Sequence, residues 1–232
     1  MTSRYAIYFS PEPNSPLEEF GKQWLGSNGN PQQRHLPVIP GLAPERVQAL
    51  IEGTRHHGFH GTLKPPFELN PASSQNALLS AACIFARSIA PIELPPMELA
   101  VIGKFIALTP ARSSAALENL AAQCVRTFEG FRVPLSAEQT AYYLRNKLTV
   151  HQTQMLEHWG YPYVMEEFRF HISLTDRIDD PTERAAMMKA VQQMTTNIVN
   201  KPIVVRDIAI FFQGERDKIM TALERIPFGR LK

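Results

Sequence analysis

Two five-residue stretches, Phe59-His60-Gly61-Thr62-Leu63 and Phe170-His171-Ile172-Ser173-Leu174, lie 111 positions apart and restrict this chain more than any other feature. Alternate side chains of a β-strand face the same side. As strands, each stretch presents a histidine and a hydroxyl on one face, His60 with Thr62 and His171 with Ser173. Phe59, Gly61 and Leu63, or Phe170, Ile172 and Leu174, then form an apolar back. A third His-x-Thr, at His151 to Thr153, lacks the flanking Phe and Leu. It follows Thr149 with Gln152 three residues on, which reads as a helix capping box. On a helix, positions i and i+2 do not share a face, so this match is set aside.

The surroundings of the two stretches repeat at the same offset. Pro91-Ile92 maps to Pro202-Ile203, and Gly103 to Gly214. Both copies run in the order histidine strand, helix, Pro-Ile strand, glycine turn, which reads as an internal duplication. Two related lobes facing each other bring both histidines to one central cleft. The chain, with 232 residues, 44% hydrophobic and 20% charged, suits one bilobal α+β domain over 1–232 with a proper core. A net charge of +2 supplies no overall field for nucleic acid. Cys83 and Cys124 make no metal or redox spacing. Met1 to Tyr5 lacks the apolar core of a signal peptide, and no apolar run reaches membrane-spanning length. These features lead us to expect a cytoplasmic protein with neither membrane attachment nor an obligatory protein partner.

In chain order, Arg4 to Phe9 reads as a strand, within a stretch 1–10 that joins the sheets. Pro16 to Leu25 reads as a helix with Leu17, Phe20, Trp24 and Leu25 on one face. Gly26 to Pro40 is a loop, and Pro44 to Gly53 a short helix with Pro in its first turn. The first motif strand closes at Pro65-Pro66. A helix over Ser73 to Ser88 follows, then strands Ile92 to Ile102 and Lys104 to Leu108 across Gly103. Ser113 to Phe128 is helical. Ser136 with Gln139, and Thr149 with Gln152, start helices ending at Leu144 and Gly160. The helices of 135–160 have no counterpart in the first copy. The first motif lobe is thus expected over about 54–112, a helical insertion over 113–160, and the second lobe over 161–232. The second motif strand is expected over Val164 to Thr175, a helix from Asp180-Pro181-Thr182-Glu183, and a strand over Ile203 to Phe212.

Two facing imidazoles suit a phosphodiester bond, because histidine can take a proton from water or give one to a leaving oxygen near neutral pH. Thr62 and Ser173 are short donors for phosphate oxygens. By strand alternation Lys64 continues the His60 face and Arg169 precedes His171 on its face, so both are expected to offset charge on phosphorus. Tyr8 is a candidate lining residue from the first strand. Trp159 to Tyr163 reads as a helix stop and turn, with Tyr161 or Tyr163 available to stack on a base or sugar. His56, His57 and His60 raise a metal site, but neighbouring ligands on a strand point to opposite faces and no acidic residue lies close in sequence. No metal or cofactor is expected.

At Gly58 to Phe67, His171 to Leu174 and Trp159 to Tyr163 the chain resembles the two-histidine (2H) phosphoesterase superfamily, whose hallmark is a pair of H-x-[ST]-apolar motifs on pseudo-symmetric lobes. It looks most like the branch encoded beside phosphonate-utilisation genes. The resemblance implies two antiparallel lobes flanked by helices, metal-independent chemistry, and a small-molecule phosphodiester or RNA-end substrate. Cyclic phosphates of nucleotides or of ribosyl phosphates fit such a cleft. A non-catalytic RNA or nucleotide binder on the same fold, and a metal hydrolase at His56, His57 and His60, are the alternatives.

Overall fold

The computed structural model describes residues 3–26, 36–216 and 218–229. Most of the loop expected over 26–40 lies outside the described residues. The first half contains β1 (Arg4–Phe9), α1 (Pro16–Leu25), α2 (Pro44–His57), β2 (Gly61–Glu68), α3 (Gln75–Arg87), β3 (Ile92–Leu94) and β4 (Met97–Ile102). The second contains β5 (Phe105–Pro110), α4 (Ala115–Thr127), α5 (Ala137–Leu144), α6 (Val150–Trp159), β6 (Ile172–Ser173), α7 (Pro181–Thr195), β7 (Ile203–Val205) and β8 (Asp207–Gln213), followed by β9 (Thr221–Pro227). The architecture is α+β, with an antiparallel sheet in the order β4-β5-β6-β2-β1-β8-β9 and a separate β3-β7 pair.

Without β9, that order is a palindrome in which β4 answers β8, β5 answers β1, and β6 answers β2. The two halves of the large sheet meet at one register pair, Gly61 with Ile172. The β3-β7 ribbon is centred on Glu93 with Val204. Both pairs join residues 111 positions apart, so the offset seen in the motifs is also the symmetry of the sheet. In chain order, α4 to α6 stand between β5 and β6 where α1 and α2 stand between β1 and β2. The repeated unit therefore opens with β1, and the helices of 113–160 fill a place that the first half also fills with helices.

Local chemistry explains most boundaries. Ser15, Ser74, Ser114, Ser136, Thr149 and Asp180 each accept a backbone N–H at a helix start. Pro16, Pro44 and Pro181 occupy first-turn positions, where the missing N–H is no loss. The α1 face of Leu17, Phe20, Trp24 and Leu25 is buried as expected. The Trp24 indole N–H donates to the Leu174 carbonyl at 2.6 Å, fastening α1 behind the second motif. Leu63, Phe170, Ile172 and Leu174 belong to the same core, and Phe59 packs against it.

Several boundaries differ from expectation. β2 runs straight through Pro65-Pro66. Its register against β1 slips twice, and the prolines fall between the Lys64 and Phe67 pairings, inside a bulge where a missing N–H costs no ladder bond. The strand expected over 92–102 breaks at Pro95-Pro96 into β3 and β4, which join different sheets. The second motif strand shrinks to Ile172–Ser173. Upstream of it the Glu166 and Phe168 carbonyls accept from the Arg169 guanidinium and the Arg169 carbonyl faces the His171 ring, so no strand partner takes them. α2 extends beyond Gly53 to His57. The edge strand β9 lacks a sequence signature, because a slip opposite Ile210 and Phe211 disturbs its alternation and charged Glu224 and Arg225 interrupt it. Among the described residues, no helix is long and apolar enough to cross a membrane.

Candidate active site

The two histidines share one cleft of about 1100 Å³. Each stands immediately before its motif strand, on either side of the Gly61–Ile172 crossing. An antiparallel pair centred on that crossing sets His60 beside Ser173 and Thr62 beside His171. All four side chains line the cleft. Gly61 permits this close crossing, since a Cβ there would sit 2.4 Å from the Phe170 ring.

The two imidazoles are held alike. His60 Nδ1–H donates to the Gly58 carbonyl at 2.9 Å, and His171 Nδ1–H donates to the Arg169 carbonyl at 2.8 Å. Each ring thus uses the carbonyl two residues before it, which fixes the Nδ1-protonated tautomer and leaves Nε2 as the basic atom. His60 Nε2 accepts from the Thr62 hydroxyl at 3.2 Å. Gly58 caps α2 with φ +78°, a conformation that favours glycine and that turns its carbonyl toward the His60 ring. Burial pushes His60 down to about 3 from its ordinary 6.5, outweighing the Gly58 bond. Burial lowers His171 as well, against the raising effect of its Arg169 bond. Both rings are neutral in the free protein at neutral pH.

The symmetry breaks at the aromatic partners. Tyr8 lies flat on the His60 ring, with centroids 3.6 Å apart and planes 17° from parallel, and its hydroxyl donates to Met220 Sδ at 3.6 Å. Tyr8 was expected to line the cleft; it does so as the buried backing of His60, 1% exposed. Tyr8 pairs with Thr62, whereas Ala107 pairs with Ser173. The place that holds Tyr8 in the first half therefore holds only a methyl in the second. Phe105 approaches the His171 ring more loosely, at 5.5 Å and 50°.

The two expected cations are placed differently: Lys64 lines the cleft with its ammonium turned onto Glu129, and Arg169 does not line it. The bulge that pairs Ile7 with Lys64 and Tyr8 with Thr62 puts Lys64 on the opposite face of β2 from Thr62. Its ammonium is buried, donating to Glu129 at 2.9 Å and to the Val125 carbonyl at 3.1 Å. Arg169 folds back onto the Glu166 and Phe168 carbonyls at 2.9 and 2.6 Å, and it does not line the cleft. Its role near His171 is played by its backbone carbonyl. Tyr161 lines the cleft and meets Tyr143 edge-on at 5.7 Å. Tyr163 is 41% exposed and packs against the edge of Tyr161, away from the cleft. The cleft also contains Arg4, Tyr143 and Arg216, which sequence reasoning missed. Alternation along β1 already placed Arg4 on the face of Tyr8; Arg216 had no comparable signal.

His56 and His57 sit in the last turn of α2 and face separate backbone carbonyls, those of Arg216 and Gly53. Among the described residues no three His, Cys, Asp or Glu side chains gather as a metal site.

A palindromic antiparallel sheet thus sets two H-x-[ST] motifs across one cleft, the arrangement that the resemblance to the two-histidine phosphoesterase superfamily implies. The model of the family described as "Protein of unknown function (DUF1045)" matches residues 62–221, and the chain belongs to that family. It is similar to the protein named ribose 1,5-bisphosphate phosphokinase PhnN of Janthinobacterium sp. (strain Marseille), 31% identical over 98% of this chain and 51% of that protein. The protein of the same name from Laribacter hongkongensis (strain HLHK9) is 28% identical over 76% of this chain and 41% of its own length. The chain thus spans about half, or less, of the curated relatives it matches. Among solved structures it is similar to Escherichia coli LigT complexed with 3′-AMP, 11% identical with a TM-score of 0.43 over 99% of both chains.

Proposed function

We propose that this protein hydrolyses a cyclic phosphodiester by paired histidine acid–base catalysis without a metal. The observation that carries the reading is the matched tethering of His60 and His171, each Nδ1–H on the carbonyl two residues back, in one cleft with Thr62 and Ser173. A substrate phosphate between the rings accepts hydrogen bonds from the two hydroxyls. We assign the base to His60, because its Tyr8 stack and burial favour the neutral imidazole. His60 Nε2 takes a proton from water as the water oxygen bonds to phosphorus. His171, protonated in the complex, gives its Nε2 proton to the sugar oxygen as the P–O bond breaks, leaving a phosphate monoester. The anionic substrate favours the His171 imidazolium, offsetting the burial that lowers it in the free protein.

The substrate class we favour is a nucleoside 2′,3′-cyclic phosphate or a phosphoribosyl cyclic phosphate. The latter is supported by the ribose bisphosphate chemistry in the names of the curated relatives. Assaying purified protein against a panel of cyclic phosphates, with and without EDTA, tests the reading. EDTA-insensitive release of a phosphate monoester from at least one compound is expected; turnover abolished by the chelator would overturn it.

A further inference from the structure

We propose that Arg4 and Arg216 form a second anion subsite in the same cleft, one that holds a terminal phosphate of the substrate. The preferred substrate is then a sugar or nucleotide cyclic phosphate carrying a second phosphate, an inference that rests on the reading of the histidines given above. The placement follows from β1. Its pairing with β8 is regular from Arg4 to Tyr8, so Arg4, Ala6 and Tyr8 share a face. Tyr8 backs His60 and Ala6 is small. Arg4 lies four residues before Tyr8, roughly 13 Å along the strand, and a long side chain can shorten that span to the width of a phosphorylated pentose.

The arginine is built into place. Its Nε donates to Gln213 Oε1 at 2.8 Å, and its Nη2 donates to the same oxygen. Gln213 is 1% exposed, and its own amide donates to the Lys218 carbonyl at 2.6 Å. Arg132, Arg177 and Arg216, the other arginines lining the cleft among the described residues, lie against Glu129, Asp179 and Glu68. Arg4 lies against a neutral amide. Burial and then the charge of Arg216 weaken its hold on its proton. Glu68 is opposite Arg4 in the β1–β2 register and bonds Arg216 at 2.8 Å. One carboxylate near two guanidiniums leaves this end of the cleft positive, and guanidinium forks suit phosphate oxygens. Tyr143 and Tyr161 also line the cleft and supply aromatic wall for the sugar or base in between.

The test is calorimetric binding to a protein carrying both His60→Ala and His171→Ala, so that ligands stay intact. The probes are nucleoside 2′,3′-cyclic phosphate with and without a 5′-phosphate, and ribose 1,2-cyclic phosphate with and without a 5-phosphate. The second phosphate should tighten binding at least about ten-fold on one scaffold, a gain of roughly 1.4 kcal/mol. Arg4→Gln and Arg216→Gln should each bring the ratio of the two affinities toward one. Should Arg4→Gln lower the melting temperature, Arg216→Gln at its exposed position decides. A second phosphate that gives no gain on either scaffold, or a gain that survives both variants, overturns the subsite. Turnover by the unmodified protein separates the two claims: failure to cleave any probe removes the histidine mechanism, while the affinity ratio still decides the subsite.

Discussion

Tyr8 lies face to face with His60 and gives the two imidazoles different surroundings. Tyr8→Leu should free the ring to tilt and admit water, raising the His60 pKa from its depressed value. The acid limb of the kcat/KM profile, which reports His60 becoming protonated, should then move to higher pH, and kcat should fall about ten-fold. A loss of kcat with an unmoved acid limb would make Tyr8 mere packing. The same depression makes a stability statement. In the folded state His60 stays neutral down to about pH 3, whereas the unfolded chain takes up that proton near 6.5. Its contribution is therefore fully present above 6.5 and lost as pH falls from 6.5 toward 3. His60→Asn should flatten the fall in melting temperature across that window. Lys64 marks where residue-level reading failed. Simple alternation put it beside His60, but a bulge has no composition signature and flips every side chain beyond it. Glu129→Ala, which leaves the buried Lys64 ammonium without its carboxylate, should cost on the order of 2 kcal/mol in denaturant melts. Catalysis by the protein that remains folded should be little changed. His60, His171, Thr62 and Ser173 were legible as one cleft because the slip in β2 comes at Leu63, after Thr62.

At the scale of elements, the join between the two halves depends on Gly61. Gly61→Ala places a methyl 2.4 Å from the Phe170 ring at the crossing of β2 and β6. The expected loss is about 2 kcal/mol, the usual range for overpacking. Phe170→Leu in the same chain should recover part of it, and urea melts of the single and double variants check this. Additive losses would mean that the ring does not set the crossing. Helices were more legible than strands here. Their starts carry side-chain caps and first-turn prolines, which act locally and show in the sequence, as at Ser136 and Asp180. Strand limits were set by distant partners. β6 is two residues long because upstream carbonyls bond side chains, and β3 separates from β4 because Pro95-Pro96 sends them to different partners. Neither fact is written in the strand that it shapes.

Over the whole molecule, the duplication that organises the sequence also organises the sheet. The offset of 111 recurs where a strand pairs with its own symmetry mate, Gly61 with Ile172 and Glu93 with Val204. That much was readable from Pro91-Ile92 and Pro202-Ile203, because the repeat keeps its apolar and turn residues. The inclusion of β1 and β5 in the repeat was hidden, since their sequences have diverged and only the palindromic order reveals them. On the proposed mechanism, neither of the two histidines in the shared cleft works without the other. The decisive measurement is turnover of the best cyclic phosphate by the unmodified protein, His60→Ala, His171→Ala and the double variant, each with and without EDTA. The account predicts a loss of about 100-fold or more in each single variant, a double variant less impaired than the product of the two losses, and no effect of the chelator. Near-full turnover in either single variant, or a chelator that abolishes the unmodified protein's rate, would contradict it.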